Sequence, residues 1–168
     1  MSKYNTIVEN DVVNGEGICV SFFVQGCPHK CPGCFNPETW DFNGGQPYTE
    51  HTKFEIIKAL NNNNIQRNFS VLGGEPLALE NLSMTEEVIN AVRHAYPNIK
   101  IFLWTGYYLE QLSKDNPNIN SILNNVNYII DGPFIEEEKN LDLRLRGSDN
   151  QSIWHKVEGI WTRWDKGD

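Results

Sequence analysis

The sequence predicts a single α/β domain, an incomplete βα barrel built mainly from parallel strands. Short apolar runs typical of strands alternate along the chain with segments of helical periodicity, which is the pattern of repeated βαβ units. The chain has 168 residues, whereas a closed barrel of eight units needs about 200 or more. Only four to six units therefore fit. We treat residues 1–168 as one domain.

Four apolar runs are the predicted strands. The first, residues 18–25, carries apolar side chains on both faces, as expected of a buried strand. It ends at Gly26, and the second run ends at Gly73 and Gly74, because glycine interrupts extended structure. The remaining predicted strands are residues 69–72, 101–104 and 128–130.

Apolar residues three and four apart predict helices between these strands. The first helix covers residues 52–60. The second follows Ser83 and Glu86, which have the spacing of a capping box, and it is closed by Pro97. Two shorter helices are predicted around residues 109–112 and 119–123.

Composition narrows the classes of function. Lysine and arginine number 14 against 22 aspartates and glutamates, giving a formal net charge of −8. Binding to a phosphate backbone needs clustered basic residues, so we expect no direct contact with nucleic acid. No apolar stretch reaches the roughly 18–20 residues of a membrane span, and the first residues lack a secretory pattern. We therefore expect a cytoplasmic protein that does not enter a membrane.

Three of the four cysteines lie close together at Cys27, Cys31 and Cys34, with C-x3-C-x2-C spacing. In a reducing compartment such thiols are more often metal ligands or catalytic groups than disulfides. Three thiolates in a Pro/Gly-rich loop can hold an iron–sulfur cluster and leave one iron open, whereas electron-transfer clusters normally use four cysteines. The spacing favours a cluster at which chemistry takes place. Cys19 stands apart, and we expect it to be buried.

A structural zinc site with His29 as the fourth ligand is the alternative for this loop. Structural zinc usually joins two separated pairs of ligands and so holds distant segments together. Four ligands in one loop would join little, so we interpret His29 as a loop residue, or as one that supports the ligands, and not as a ligand itself. A zinc-stabilised binding module without catalysis remains the non-enzymatic hypothesis.

The polar and glycine-rich segments that follow the predicted strands are expected to meet. Parallel strands of α/β folds place their active sites at their carboxyl ends. The cysteine loop follows the first strand, and three further segments follow the others: Gly73-Gly74-Glu75, Thr105-Gly106 and Asp131-Gly132. The sequence therefore predicts one site at this edge.

The cysteine loop followed by Phe35 resembles the cluster loop of radical S-adenosylmethionine enzymes. More narrowly, the stretch from Gln25 to Trp40 is similar to the family of activating proteins of anaerobic (class III) ribonucleotide reductases. Further similar segments occur in the same order as in that family, and together they cover most of residues 10–151. They are Val13-Asn14-Gly15-Glu16-Gly17, Gly73-Gly74-Glu75-Pro76-Leu77, Trp104-Thr105-Gly106-Tyr107, Asp131-Gly132-Pro133-Phe134 and Arg146-Gly147-Ser148 through Gln151.

The resemblance implies a [4Fe-4S] cluster on Cys27, Cys31 and Cys34 with S-adenosyl-L-methionine chelated at the open iron. Reductive cleavage would give a 5′-deoxyadenosyl radical that abstracts hydrogen from a glycine of the reductase, the partner protein. The electron donor implied is a flavodoxin or a ferredoxin. The resemblance also implies that Gly73, Gly74 and Glu75 receive the methionine amino group. For Thr105, bonding to the cofactor and a helix N-cap are equal alternatives; Phe35 would lie beside the adenine or in the core.

Two positions depart from the family pattern, because arginine is expected where Cys19 and Ser152 stand. A related small-molecule enzyme, similar to 7-carboxy-7-deazaguanine synthase, is a second hypothesis within the same superfamily. Residues 35–40 and 146–148 favour the activating protein over it.

The short chain also predicts how the partner gains access. An incomplete barrel should leave one side of the site open, as a protein substrate requires, whereas radical chemistry on a small molecule favours a closed site. Residues 131–151 leave the fourth strand on that side, and we assign Phe134, Arg144 and Arg146 to the partner interface. The alternation of Leu141, Leu143 and Leu145 predicts a further strand there.

Overall fold

A computed structural model describes residues 2–164. Within them, one mixed sheet of eight strands is ordered β3-β1-β2-β4-β5-β6-β7-β8. The strands are β1 (Lys3–Asp11), β2 (Cys19–Val24), β3 (Gln46–Pro47), β4 (Asn68–Gly73), β5 (Ile101–Trp104), β6 (Tyr128–Asp131), β7 (Ser152–Val157) and β8 (Ile160–Arg163). The α-helices are α1 (Glu50–Ala59), α2 (Leu82–Ala95) and α3 (Pro117–Asn125).

The four predicted strands are confirmed as β2, β4, β5 and β6, the centre of the sheet. They pair in parallel from β2 to β4, β4 to β5 and β5 to β6. Each crossover between them contains one helix, as in βαβ units. Their carboxyl ends therefore share one edge, which is the geometry that the sequence predicts for the site.

The flanking strands correct the prediction of a mainly parallel sheet. β1 pairs antiparallel with β2 and β3, and β7 pairs antiparallel with β6 and β8. A strand at the side of a sheet has water on one face, so it lacks the continuous apolar run of a buried parallel strand. The sheet is therefore mixed, and an incomplete barrel stays a prediction about its curvature.

The helices match their predicted positions, but the predicted cap of α2 is wrong. Ser83 lies inside α2, and the N-cap position is occupied by Asn81, whose side chain makes no capping bond. The predicted helix at residues 109–112 is a short 3₁₀ turn, Leu109–Gln111. Helix α1 begins at a capping box formed by Thr49 and Thr52.

Alternate residues of the strands separate the two faces of the sheet. Ile101, Leu103 and Ile129 belong to the main core beneath the three helices. Phe102 and Ile130 face the other way, into a smaller cluster that includes Leu145. The predicted strand at Leu141–Leu145 is wrong: this segment is turns and bends that cover the second face.

The helices within residues 2–164 are too short or too polar to cross a membrane.

Candidate active site

A cavity of about 510 Å³ lies at the carboxyl edge of the four parallel strands. It is bounded by the loops after β2, β4, β5 and β6, and by residues of the loop between β1 and β2. Of the residues predicted for the site, its lining includes Cys27, Cys31, Cys34, Phe35, Gly73, Gly74, Glu75, Thr105, Phe134 and Arg146. Arg144 is absent from this lining.

The cysteine loop is held closed at its base. The amide of Gly26 donates to the carbonyl of Thr39 at 2.6 Å, and that of Cys27 donates to the carbonyl of Trp40 at 3.1 Å. The two ends of the loop are thus joined by hydrogen bonds that do not require a metal. Between them the chain is free of regular strand structure, so the loop can wrap around a group placed in the cavity.

All four cysteines are free thiols, and burial divides them as predicted. Cys19 is fully buried on β2, where its Sγ donates to the carbonyl of Glu16. The three thiols of the loop are partly exposed to the cavity. Burial raises the pKa of Cys27 to about 11 and also raises that of Cys31. A metal must therefore displace protons from these thiols when it binds.

Gly73 and Gly74 allow two loops to touch. Gly73 has a φ of 107°, which favours glycine. A Cβ on Gly74 would collide with the carbonyl oxygen of Gly26, at the start of the cysteine loop. The amide of Glu75 donates to that same carbonyl at 2.8 Å. The Gly-Gly-Glu segment is thus docked against the cysteine loop.

Glu75 is fully buried, and four donors surround its carboxylate. Oε2 accepts from the Leu77 amide at 2.9 Å and the Thr105 hydroxyl at 2.8 Å. Oε1 accepts from the Gly106 amide at 2.7 Å and lies 2.7 Å from Nε2 of His29. A carboxylate can only accept, so the imidazole donates. Hydrogen bonds offset the cost of burying this charge.

Thr105 does not cap a helix, since the N-cap residues of the next two helical segments are Tyr108 and Asn116; its bonding to the cofactor stays a prediction. Its hydroxyl donates to Glu75 and accepts from the amide of Tyr107 at 3.2 Å. Its immediate function is to orient the carboxylate. Phe35 is 56% exposed, which excludes the core alternative. Its ring packs on Phe134, with centroids 5.1 Å apart, at the rim of the cavity.

The residues predicted for the partner interface separate into two groups. Phe134 and Arg146 line the cavity. Arg144 instead lies over the ring of Trp164 at 4.7 Å and 3.7 Å from a carboxylate oxygen of Glu16. Its guanidinium thus has contacts within the protein, its side chain is 48% exposed, and its place at the interface stays a prediction.

The number of thiols in the loop fits a cluster. Structural zinc takes four ligands, whereas three thiolates can hold a four-iron cluster and leave one iron open. The cavity lining thus offers three thiols to a bound group.

Sequence reasoning missed one polar side chain that builds the site. Asn81 is buried, and its amide donates to the carbonyls of Gly26 and Glu75 at 3.2 and 3.0 Å. It joins the same two loops that Gly74 brings together. Asn81 showed no distinguishing signal, because asparagine is common at a helix start. His29, interpreted as a loop or supporting residue, contacts Glu75.

The two departures from the family pattern lie away from the cavity lining. Cys19 packs against Gly15, where a Cβ would come within 2.6 Å of its sulfur. Ser152 is buried on β7, and its amide donates to Asp131. Both positions are occupied by small, buried side chains, and neither residue lines the cavity.

Comparison with known proteins identifies the class of protein to which this chain belongs. Residues 13–154 match the family described as a 4Fe-4S single cluster domain. The "Anaerobic ribonucleoside-triphosphate reductase-activating protein" of Escherichia coli K12 is 37% identical over 154 residues, which are 91% of this chain and 98% of that protein. The protein of the same name from enterobacteria phage T4 is 38% identical over 161 residues, 95% and 97% of the two chains. That of Vibrio cholerae is 37% identical over 152 residues, 90% and 96%.

The chain belongs to the family of anaerobic ribonucleoside-triphosphate reductase-activating proteins. These relatives cover almost its whole length, and they favour this family over the deazaguanine-forming alternative. The match to a cluster domain likewise favours iron and sulfide over the zinc module.

Proposed function

We propose that this chain activates an anaerobic ribonucleotide reductase by generating a radical on one of its glycines. The observation that carries the proposal is the convergence of Cys27, Cys31, Cys34 and the buried Glu75 on one cavity, in a chain of the family that bears this name. When bound, the [4Fe-4S] cluster supplies the electron that cleaves S-adenosyl-L-methionine to methionine and the 5′-deoxyadenosyl radical, which takes hydrogen from the glycine. Residues 1–168 serve as one domain for this chemistry.

Each residue of the cavity has a defined task in this proposal. The three loop cysteines would hold the cluster, and with three protein ligands it would keep a position for the cofactor. Glu75 accepts a hydrogen bond from the cofactor's ammonium, and Thr105 keeps the carboxylate oriented. Gly73 and Gly74 let the backbone approach closely. Phe35, exposed at the rim, lies beside the adenine.

The reductase would enter on the side that an incomplete barrel is predicted to leave open. Phe134 and Arg146 line the cavity, and the loop that carries Arg146 is organised by Gln151. Oε1 of Gln151 accepts from the amides of Gly147 and Ser148 at 2.8 and 3.1 Å. A cationic side chain on an ordered loop at the opening suits a contact with an approaching protein segment. We also propose a cytoplasmic location and a flavodoxin or ferredoxin-type electron donor, on the family resemblance alone.

The test mixes the reduced protein, S-adenosyl-L-methionine and its own anaerobic reductase and measures the glycyl radical by electron paramagnetic resonance. We expect a doublet with the wild type. Arg146→Ala should lose about tenfold or more of that signal while still cleaving the cofactor with a chemical reductant, because one charged interface contact is worth roughly 1.5–3 kcal/mol. Arg144→Ala is the matched control and should keep the signal, since its guanidinium lies on Glu16 and Trp164.

Cofactor cleavage without any radical on the reductase would contradict the proposed activity. Equal losses in Arg144→Ala and Arg146→Ala would contradict the assignment of Arg146 alone to the interface.

A further inference from the structure

The carboxylate of Glu75 has no site left for another donor. A carboxylate offers about four acceptor positions on its two oxygens. In this protein two backbone amides, one hydroxyl and one imidazole occupy them, at 2.7–2.9 Å. Any further N–H group that binds this carboxylate must therefore displace one of the four.

The four donors differ in how easily they can leave. The Leu77 and Gly106 amides belong to the backbone that follows β4 and β5, so they move only with those segments. The Thr105 hydroxyl is 4% exposed and also accepts from an amide, so its rotation would break two bonds. His29 lies on a loop without strand or helix, and its side chain is 18% exposed. The imidazole is the donor that can leave at least cost.

The imidazole is also placed where an incoming group would meet it. Its ring lies edge-on to Tyr107, with centroids 4.6 Å apart. A Cβ on Gly106 would fall 2.5 Å from Cδ2 of His29, so the absence of a side chain there makes room for the ring. His29 and Glu75 line the same cavity as the three loop cysteines.

We propose that His29 occupies the position on Glu75 that the cofactor's ammonium takes, and that binding of S-adenosyl-L-methionine displaces the imidazole. His29 is thus a positioning residue and an internal competitor: it satisfies the buried carboxylate in the absence of cofactor and weakens cofactor binding by the free energy of its own contact. This inference rests on the proposed role of Glu75 as the ammonium acceptor.

The experiment measures the affinity of anaerobically reconstituted protein for S-adenosyl-L-methionine by equilibrium titration, normalised to iron content. His29→Phe keeps an aromatic ring against Tyr107 but has no donor, and His29→Asn is too short to reach Oε1. We expect each variant to bind about tenfold more tightly than the wild type, because one charge-assisted hydrogen bond no longer has to be broken. The analogue with hydrogen in place of the amino group is the control ligand, and its affinity should not change.

Each of the other possible results would contradict the displacement of His29 or the role of Glu75. Unchanged or weaker binding of S-adenosyl-L-methionine by both variants would overturn the inference, as would tighter binding by Thr105→Val and not by His29→Phe. Loss of iron from both histidine variants would assign His29 to cluster assembly and overturn it too. Glu75→Ala, made in the His29→Phe protein so that no imidazole competes, tests the role of Glu75 separately. Unchanged affinity on adding Glu75→Ala to His29→Phe would refute the role of Glu75 itself, whereas weakened affinity there, together with wild-type affinity of the single His29 variants, would refute only the displacement.

Discussion

At the scale of the single residue, the position of each cysteine decides whether its thiol can reach the cavity. Cys27, Cys31 and Cys34 face the cavity, whereas Cys19 is fully buried on β2 and bonded to a backbone carbonyl. Spacing alone already separates the two groups. The structure adds the reason: Cys19 has no path to a group held in the cavity.

The ligands of the cluster are the subject of the residue-scale prediction. Cys27→Ala, Cys31→Ala and Cys34→Ala should each lose the cluster, since each removes one of three ligands. Cys19→Ala should retain it and lose about 1–2 kcal/mol of unfolding free energy through the small cavity that it creates. Iron and sulfide content and visible absorption after anaerobic reconstitution measure the first effect, and denaturant unfolding measures the second. An iron-free Cys19→Ala protein that is otherwise folded would contradict this assignment.

At the scale of the element, the loop from residue 12 to 17 takes its shape from the last residue of β1. Asp11 is buried, and its carboxylate accepts from the amides of Val13 and Asn14, the Asn14 side chain and the hydroxyl of Ser21. Burial raises the pKa of Asp11, but these four hydrogen bonds outweigh it and hold the pKa below 3.8. The side chain thus fixes the wall of the cavity that Val13 and Asn14 form.

The charge of Asp11 makes stability depend on pH. Since its pKa is lower in the folded than in the unfolded state, its contribution is complete above about pH 5 and is lost as pH falls through the folded pKa. Asp11→Asn, which keeps the shape, should therefore lower the unfolding free energy by about 2 kcal/mol at neutral pH. The difference from wild type should vanish in acid. Denaturant unfolding of metal-free protein across pH 2–7 measures this; a pH-independent difference would contradict it.

The strands, helices and loops differ in how well the sequence alone predicts them. The central strands and the helices were predictable because a buried strand is continuously apolar and a surface helix is periodic. β1 was not, because its sequence KYNTIVEND mixes polar and apolar residues on a strand of which only one residue is buried. The cysteines were predictable from spacing alone. The contact between His29 and Glu75 was not, because the two residues are 46 positions apart and meet only through the path of two loops.

Binding of the cofactor should stabilise the whole molecule, and the contact with Glu75 should account for part of that stabilisation. A ligand at a hundred times its Kd stabilises the folded state by about 2.7 kcal/mol, which for a chain of this size raises Tm by about 5–10 °C. We expect this shift for the reconstituted protein with S-adenosyl-L-methionine, and about half of it for Glu75→Ala at the same concentration. Anaerobic thermal unfolding measures both shifts. The full shift in Glu75→Ala, at equal iron content, would contradict this expectation.

The hydrogen bonds that close the base of the cysteine loop can form while the rest of the protein is still being synthesised. Residues 27–40 can close on themselves as soon as they are made, since loops of this length close in well under a microsecond. Glu75 and Asn81, which anchor that loop to β4, are synthesised about 2–8 s later at ordinary rates of translation. For those seconds the nascent chain carries three clustered thiols without the carboxylate and amide that order them.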